Sequence, residues 1–94
     1  MIDIILCGGS QGRAIISGSV ETEPVAGQPV TLHAARMVLY WAGSAGLFGL
    51  ATTGPAPGSR ITAPVARVTD LAWQQWMTVS PEAAQAIRDW PVAE

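Results

Sequence analysis

Few side chains in this sequence can do chemistry. The only histidine is His33, the only cysteine is Cys7, and seven carboxylates and five arginines are scattered along 94 residues. A nucleophilic mechanism would need Cys7 or a serine, with His33 as its base, and no motif joins them. Cys7 closes the apolar run Ile2–Cys7 and reads as core, because reactive thiols need an electropositive, partly exposed setting. His33 stands beside Thr31 on the outward side of a strand and reads as solvated. One His, one Cys and dispersed acids give no metal-ligand spacing, so neither a metal nor a cofactor is implied. Glu21 and Glu23 read as solvating loop charges, Asp3 and Asp70 flank strands, and an acid pair from distant strands stays open.

Two segments suggest ligand binding instead. Gly8-Gly9-Ser10-Gln11-Gly12-Arg13 follows a strand, as a phosphate loop does, but it lacks the Lys-Ser/Thr pair and a following helix. A hairpin loop is the better reading. The segment Arg36–Arg60 is richer. Tyr40 and Trp41 offer stacking surfaces, and Thr52, Thr53 and Ser59 offer hydroxyls. Arg36 and Arg60 offer phosphate-capable forks, and several glycines would let backbone amides approach a ligand. Together these form the inventory of a nucleotide pocket. The competing reading makes Trp41 and Leu47–Leu50 core, the glycines turns and the arginines surface charges.

Composition narrows the classes. The chain has no lysine, and its net charge is −2, which argues against duplex nucleic acid as a partner, since phosphate-backbone affinity needs clustered cations. A single cysteine excludes an internal disulfide and a Cys-rich zinc site, and fits a reducing cytoplasm. Ile2–Cys7 lacks a basic flank and is too short for a secretory segment. Met37–Ala51 is broken by glycines and falls short of the ~20 residues of a membrane span. Apolar residues make up 49% of the chain and charged residues 13%. A globule of this size buries only about 60–65% of its unfolded surface. That imbalance predicts a homo-oligomer.

The elements that must position these groups are mostly strands. Ile2–Cys7 and Arg13–Val20 are apolar, β-branched runs around the glycine loop and predict a hairpin. Val30–His33 alternates, with Val30 and Leu32 on one face. Arg36–Trp41 alternates again, with Met37, Leu39 and Trp41 opposite Arg36, Val38 and Tyr40. Leu47–Thr53 reads as a short strand, and Gly54–Gly58 as irregular. Pro64 reduces Ile61–Val68 to an edge strand or two short pieces. Asp70–Val79 fits strand or helix and is read as strand. Ser80-Pro81-Glu82 opens a short helix, with Ala83, Ile87 and Trp90 on one stripe and Pro91 beyond it. The expected fold is mainly β (α+β): one domain over residues 1–94, a small antiparallel sheet, sandwich or partly open barrel with one short C-terminal helix.

Ala35-Arg36-Met37, Tyr40-Trp41, Gly46–Ala51, Thr53-Gly54-Pro55 and Gly58–Ile61 resemble a family of small accessory proteins encoded by tailed phages. The likeness continues loosely through Thr78 and the Glu82–Trp90 helix. Trp73-Gln74-Gln75-Trp76 departs from the aliphatic strand of related chains. The resemblance implies a phage origin, a host-cytoplasmic setting and no established enzyme activity. It suggests a host-defence inhibitor that sequesters a cyclic-nucleotide or ADP-ribose-type signal in oligomer pockets. Tyr40 or Trp41 would stack the base, Arg36 and Arg60 hold phosphate, and Thr52, Thr53 and Ser59 read the remaining oxygens. The alternative is an interaction or virion-associated protein using exposed Trp73, Trp76 and Trp90 against a protein partner. A nucleotide-cleaving enzyme using His33 ranks last.

Overall fold

A computed structural model describes residues 1–43 and 45–93. β1 (Ile2–Gly8) and β2 (Ala14–Val20) form the expected hairpin, in full register from Ile2 opposite Val20 to Gly8 opposite Ala14. β3 (Val30–Ala42) lies on the other side of β2, and all of its strand pairings are antiparallel. The two separate runs read from the sequence are one thirteen-residue strand. A bulge at Ala34, whose φ is +51°, inserts one extra residue opposite β2. Such a bulge reverses the faces on either side of it. Val30, Leu32 and Ala35 therefore join one core cluster, while Val38 joins the other.

β4 (Ala56–Ile61) pairs with the second half of β3, and β5 (Val65–Asp70) pairs with the first half. They are two pieces of one edge, interrupted around Pro64 as the missing N–H of proline requires. β4 corrects the irregular reading of Gly54–Gly58. Pro57 is tolerated because this is an edge strand with register shifts, and Gly58 takes φ +99° there. β6 (Gln75–Thr78) pairs with β1 at the opposite edge. Only this part of Asp70–Val79 is strand after β5 ends; Leu71–Gln74 forms the connection. The sheet order is β4-β3-β2-β1-β6, with β5 beside β3. Asp70, ending β5, accepts a hydrogen bond from the Gly9 amide beyond β1 at 2.9 Å, so the sheet curls strongly. β5 and β6 do not pair, which leaves an open sheet and not a closed barrel.

Each face has its own core. Ile4, Leu6, Ile16, Val20, Val30, Leu32 and Ala35 pack on the inside of the curl with Val68, Trp73 and Trp76. Ile5, Cys7, Ile15, Val38 and Ile61 pack on the other face beneath two helices. The second helix, α2 (Pro81–Asp89), matches the sequence reading: Ser80 Oγ accepts from Ala83 N at 3.0 Å, and Ala83, Ala84 and Ile87 are buried. The first, α1 (Gly46–Thr53), replaces the expected strand over Leu47–Thr53. Leu47, Leu50 and Ala51, at i, i+3 and i+4, make one apolar stripe toward the core. The chain turns out of α1 at Gly54 (φ +88°), where a Cβ would come within 3.0 Å of Ala86 Cβ on α2. No helix among the described residues is long and apolar enough to cross a membrane.

Candidate functional site

The seven ligand residues expected from Arg36–Arg60 do not converge on one pocket. Arg36 is 5% exposed. Its Nε donates to the Thr62 carbonyl at 2.7 Å, and its Nη1 donates to the Ile87 and Arg88 carbonyls at 2.6 and 3.4 Å. This guanidinium closes the C-terminal end of α2, where helix carbonyls lack partners and the dipole favours a cation. Burial lowers its pKa from the ordinary arginine value through loss of solvation. The bulge at Ala34 aims Arg36 inward, where its Nε and Nη1 are taken up by backbone carbonyls, so it is not the surface charge of the competing reading.

The hydroxyls are also committed elsewhere. Thr52 Oγ1 donates to the Phe48 carbonyl at 2.9 Å, and Thr53 Oγ1 to the Gly49 carbonyl at 2.9 Å, both back-bonds within α1. Ser59 is buried; its Oγ accepts from Ala42 N at 3.0 Å and donates to the Ala56 carbonyl at 2.7 Å, filling the irregular register between β3 and β4. Trp41 packs against the helix-side core. Tyr40 and Arg60 remain on the surface and stand opposite each other across the β3–β4 pairing.

Tyr40 belongs to a larger exposed feature. Met37 is 41% exposed, Leu39 53% and Tyr40 57%, all in the second half of a central strand. Met37 continues the face of Ala35, beyond the point where the curl covers it. A second bulge, between Val38 and Tyr40, puts Leu39 and Tyr40 outward together and returns Trp41 to the core. Strict alternation hid this face, since it placed Tyr40 with Arg36 and Val38. The tryptophans expected on the surface are half-buried instead. Trp73 and Trp76 pack against the inner core, and Trp90 Nε1 donates to the Ser59 carbonyl at 2.9 Å.

Two concave regions lie elsewhere. A cleft of about 370 Å³ between the Glu21–Pro29 loop and the β3–β5 pairing is lined by Glu21, Glu23, His33 and Arg67. His33 and Arg67 are cross-strand partners, and Thr31 and Thr69 share a 2.9 Å hydroxyl contact beside them. The sequence reading of His33 as a solvated strand residue missed this wall, which depends on β5 returning alongside β3. A smaller cavity of about 40 Å³ sits where β2, β3 and α2 meet, lined by Asp3, Ser17, Ser19, Arg36 and Arg88. Neither cavity includes Tyr40, Trp41, Thr52, Thr53, Ser59 or Arg60. Cys7 is buried, and loss of solvation raises its thiol pKa, consistent with a core residue.

Residues 3–87 match the domain of unknown function DUF6948, and the chain belongs to that family. No curated protein and no solved structure matches the chain.

Proposed function

We propose that this DUF6948 protein is a non-catalytic binding protein whose copies associate through the outward face of β3, formed by Met37, Leu39 and Tyr40, and hold a small nucleotide at that contact. The observation that carries this reading is the exposure of three large side chains, Met37, Leu39 and Tyr40, within four positions of a central strand. A monomer gains nothing from such a patch, whereas a second copy of the same face removes it from water. The low charge content of the chain favours this occupant, because few charges must be desolvated when like faces meet.

Tyr40 and Arg60 supply the nucleotide part of the reading. An outward phenol ring and a guanidinium on neighbouring strands suit a base and a phosphate. The likeness of Arg36–Ile61 to small phage accessory proteins supports a phage-encoded inhibitor acting in the host cytoplasm, with a cyclic-nucleotide or ADP-ribose-type immune signal as ligand. To test this, the purified protein is incubated with cyclic dinucleotides and cyclic ADP-ribose isomers, washed and heat-denatured, and the released material is chromatographed. Intact ligand supports sequestration. Altered ligand indicates catalysis, and no retained ligand removes the nucleotide.

Phe48 favours a second reading, a protein partner with no small ligand. It is 67% exposed on α1 and adds apolar surface that nucleotide capture does not need. Phe48→Ser leaves ligand retention unchanged under the first reading and weakens the partner complex under the second.

A further inference from the structure

The cleft of about 370 Å³ at the start of β3 is lined by charges of both signs, carried by different elements. One wall is the β3–β5 pair. Val30 and Leu32 belong to the inner core, so Thr31 and His33 share the opposite face, where the Thr31–Thr69 hydroxyl contact lies. His33 and Arg67 are cross-strand partners on that face, close enough for an imidazole and a guanidinium to meet one ligand group. The other wall is the loop between β2 and β3, which brings Glu21 and Glu23. Among the described residues, no nitrogen of His33 or Arg67 comes within 4.0 Å of a carboxylate oxygen of either glutamate. None of these four side chains has a hydrogen-bond partner among the described residues either. The loop itself is held: its Gln28 carbonyl accepts from Trp73 Nε1 at 2.6 Å, its Gln28 amide donates to the Val25 carbonyl at 3.1 Å, and Pro24 and Pro29 restrict its backbone. Such a preformed wall lowers the entropic cost of binding.

We infer that this cleft binds a small zwitterion of dipeptide size, with its carboxylate on His33 and Arg67 and its ammonium on Glu21 and Glu23. Opposite charges that line one cleft without meeting leave room between them for a molecule that carries both. A lone anion is repelled by the glutamates and a lone cation by Arg67, so a ligand with both charges is the one that suits both walls. The volume falls in the range of small-molecule sites. Val25, 56% exposed, and the two prolines offer apolar surface to the ligand's own side chains. None of Met37, Leu39, Tyr40 and Arg60 lines the cleft, so the inference is independent of the oligomer and nucleotide readings.

Titration of leucyl-leucine into isotope-labelled protein, followed by the amide signals in NMR, tests the inference. Saturable shifts are expected at Glu21, Glu23, His33 and Arg67. N-acetyl-leucyl-leucine lacks the ammonium and leucyl-leucinamide lacks the carboxylate, and each should bind about tenfold more weakly. Arg67→Gln should weaken leucyl-leucine about tenfold yet bind leucyl-leucinamide no more weakly than the wild type does, because that ligand has no carboxylate to lose. Changing both Glu21→Gln and Glu23→Gln should weaken leucyl-leucine and bind N-acetyl-leucyl-leucine no more weakly. All three substituted positions are exposed, so the circular dichroism should stay that of the wild type. The capped ligands decide the matter on the wild-type protein alone. Equal affinity for all three ligands, shifts centred on Tyr40 and Arg60, or no saturable shift up to the solubility of leucyl-leucine would overturn the inference.

Discussion

The guanidinium of Arg36, in the middle of β3, donates to the carbonyl of Ile87 at 2.6 Å across 51 positions of sequence. A side chain with the chemistry of a phosphate ligand instead ties the long central strand to the last turn of α2. Removing it takes the Arg36 bond from the Thr62 carbonyl and leaves the Ile87 carbonyl with only the 3.2 Å bond from the Trp90 amide. Arg36→Met should destabilise the protein by about 3 kcal/mol in urea denaturation, with the slope unchanged. Arg36→Lys should recover little, because an ammonium cannot span the same fork.

Trp90 fastens the C-terminal end to the opposite side of the helix layer. Its Nε1 reaches the Ser59 carbonyl at 2.9 Å, and its ring packs on the helix-side core. Trp90→Phe keeps most of the apolar area and leaves the carbonyl unpaired, so the expected loss is about 1–2 kcal/mol. Chemical denaturation measures it. A neutral result would mean that water satisfies Ser59.

Ser80 serves both helices at once. Its Oγ accepts from Ala83 N at 3.0 Å as the cap of α2 and donates to the Thr52 carbonyl at 2.7 Å at the end of α1. Ser80→Ala should cost about 2 kcal/mol, toward the upper end for a cap because two elements lose a bond. Thermal or urea unfolding reads the difference.

Cys7 gives a pH dependence with a definite sign. Burial raises the folded thiol above its ordinary value of 9.0. Below that value the thiol is protonated in both states and costs nothing. Above it the unfolded chain ionises first, so this contribution to stability is lost as pH rises from 9 through the folded pKa. Cys7→Ala should flatten the alkaline fall of stability, and the native thiol should resist Ellman's reagent until unfolding.

Much of the fold was legible locally. The β1–β2 hairpin follows from two apolar runs around glycines, and α2 from Ser80-Pro81-Glu82 with Ala83 and Ile87 one turn apart. Pro64 marked a broken edge, which β4 and β5 form. What was not legible came from bulges. Ala34 and the irregular step at Leu39 shift the alternation of β3, turning Arg36 inward and Tyr40 outward, and neither carries a glycine or proline to announce it. Leu47–Thr53 is a short apolar run interrupted by Gly49 and reads as a strand, but in the fold Leu47, Leu50 and Ala51 take the helical spacing and pack on the core. The candidate site suffered most, because its hydroxyls and arginines were grouped by nearness in sequence. Thr52, Thr53 and Ser59 are close along the chain, yet each spends its hydroxyl on backbone groups, the threonines within α1 and Ser59 between β3 and β4.

The account stands or falls on the outward face of β3. Sedimentation equilibrium across a concentration series measures it, using the wild-type chain and Leu39→Asp, whose changed side chain is more than half exposed in one copy of the chain. The expected result is a wild-type mass at a whole multiple of 9.8 kDa and a Leu39→Asp mass at 9.8 kDa, with the same circular dichroism. A wild-type protein that stays at 9.8 kDa at every concentration, or an oligomer that Leu39→Asp leaves intact, would contradict it.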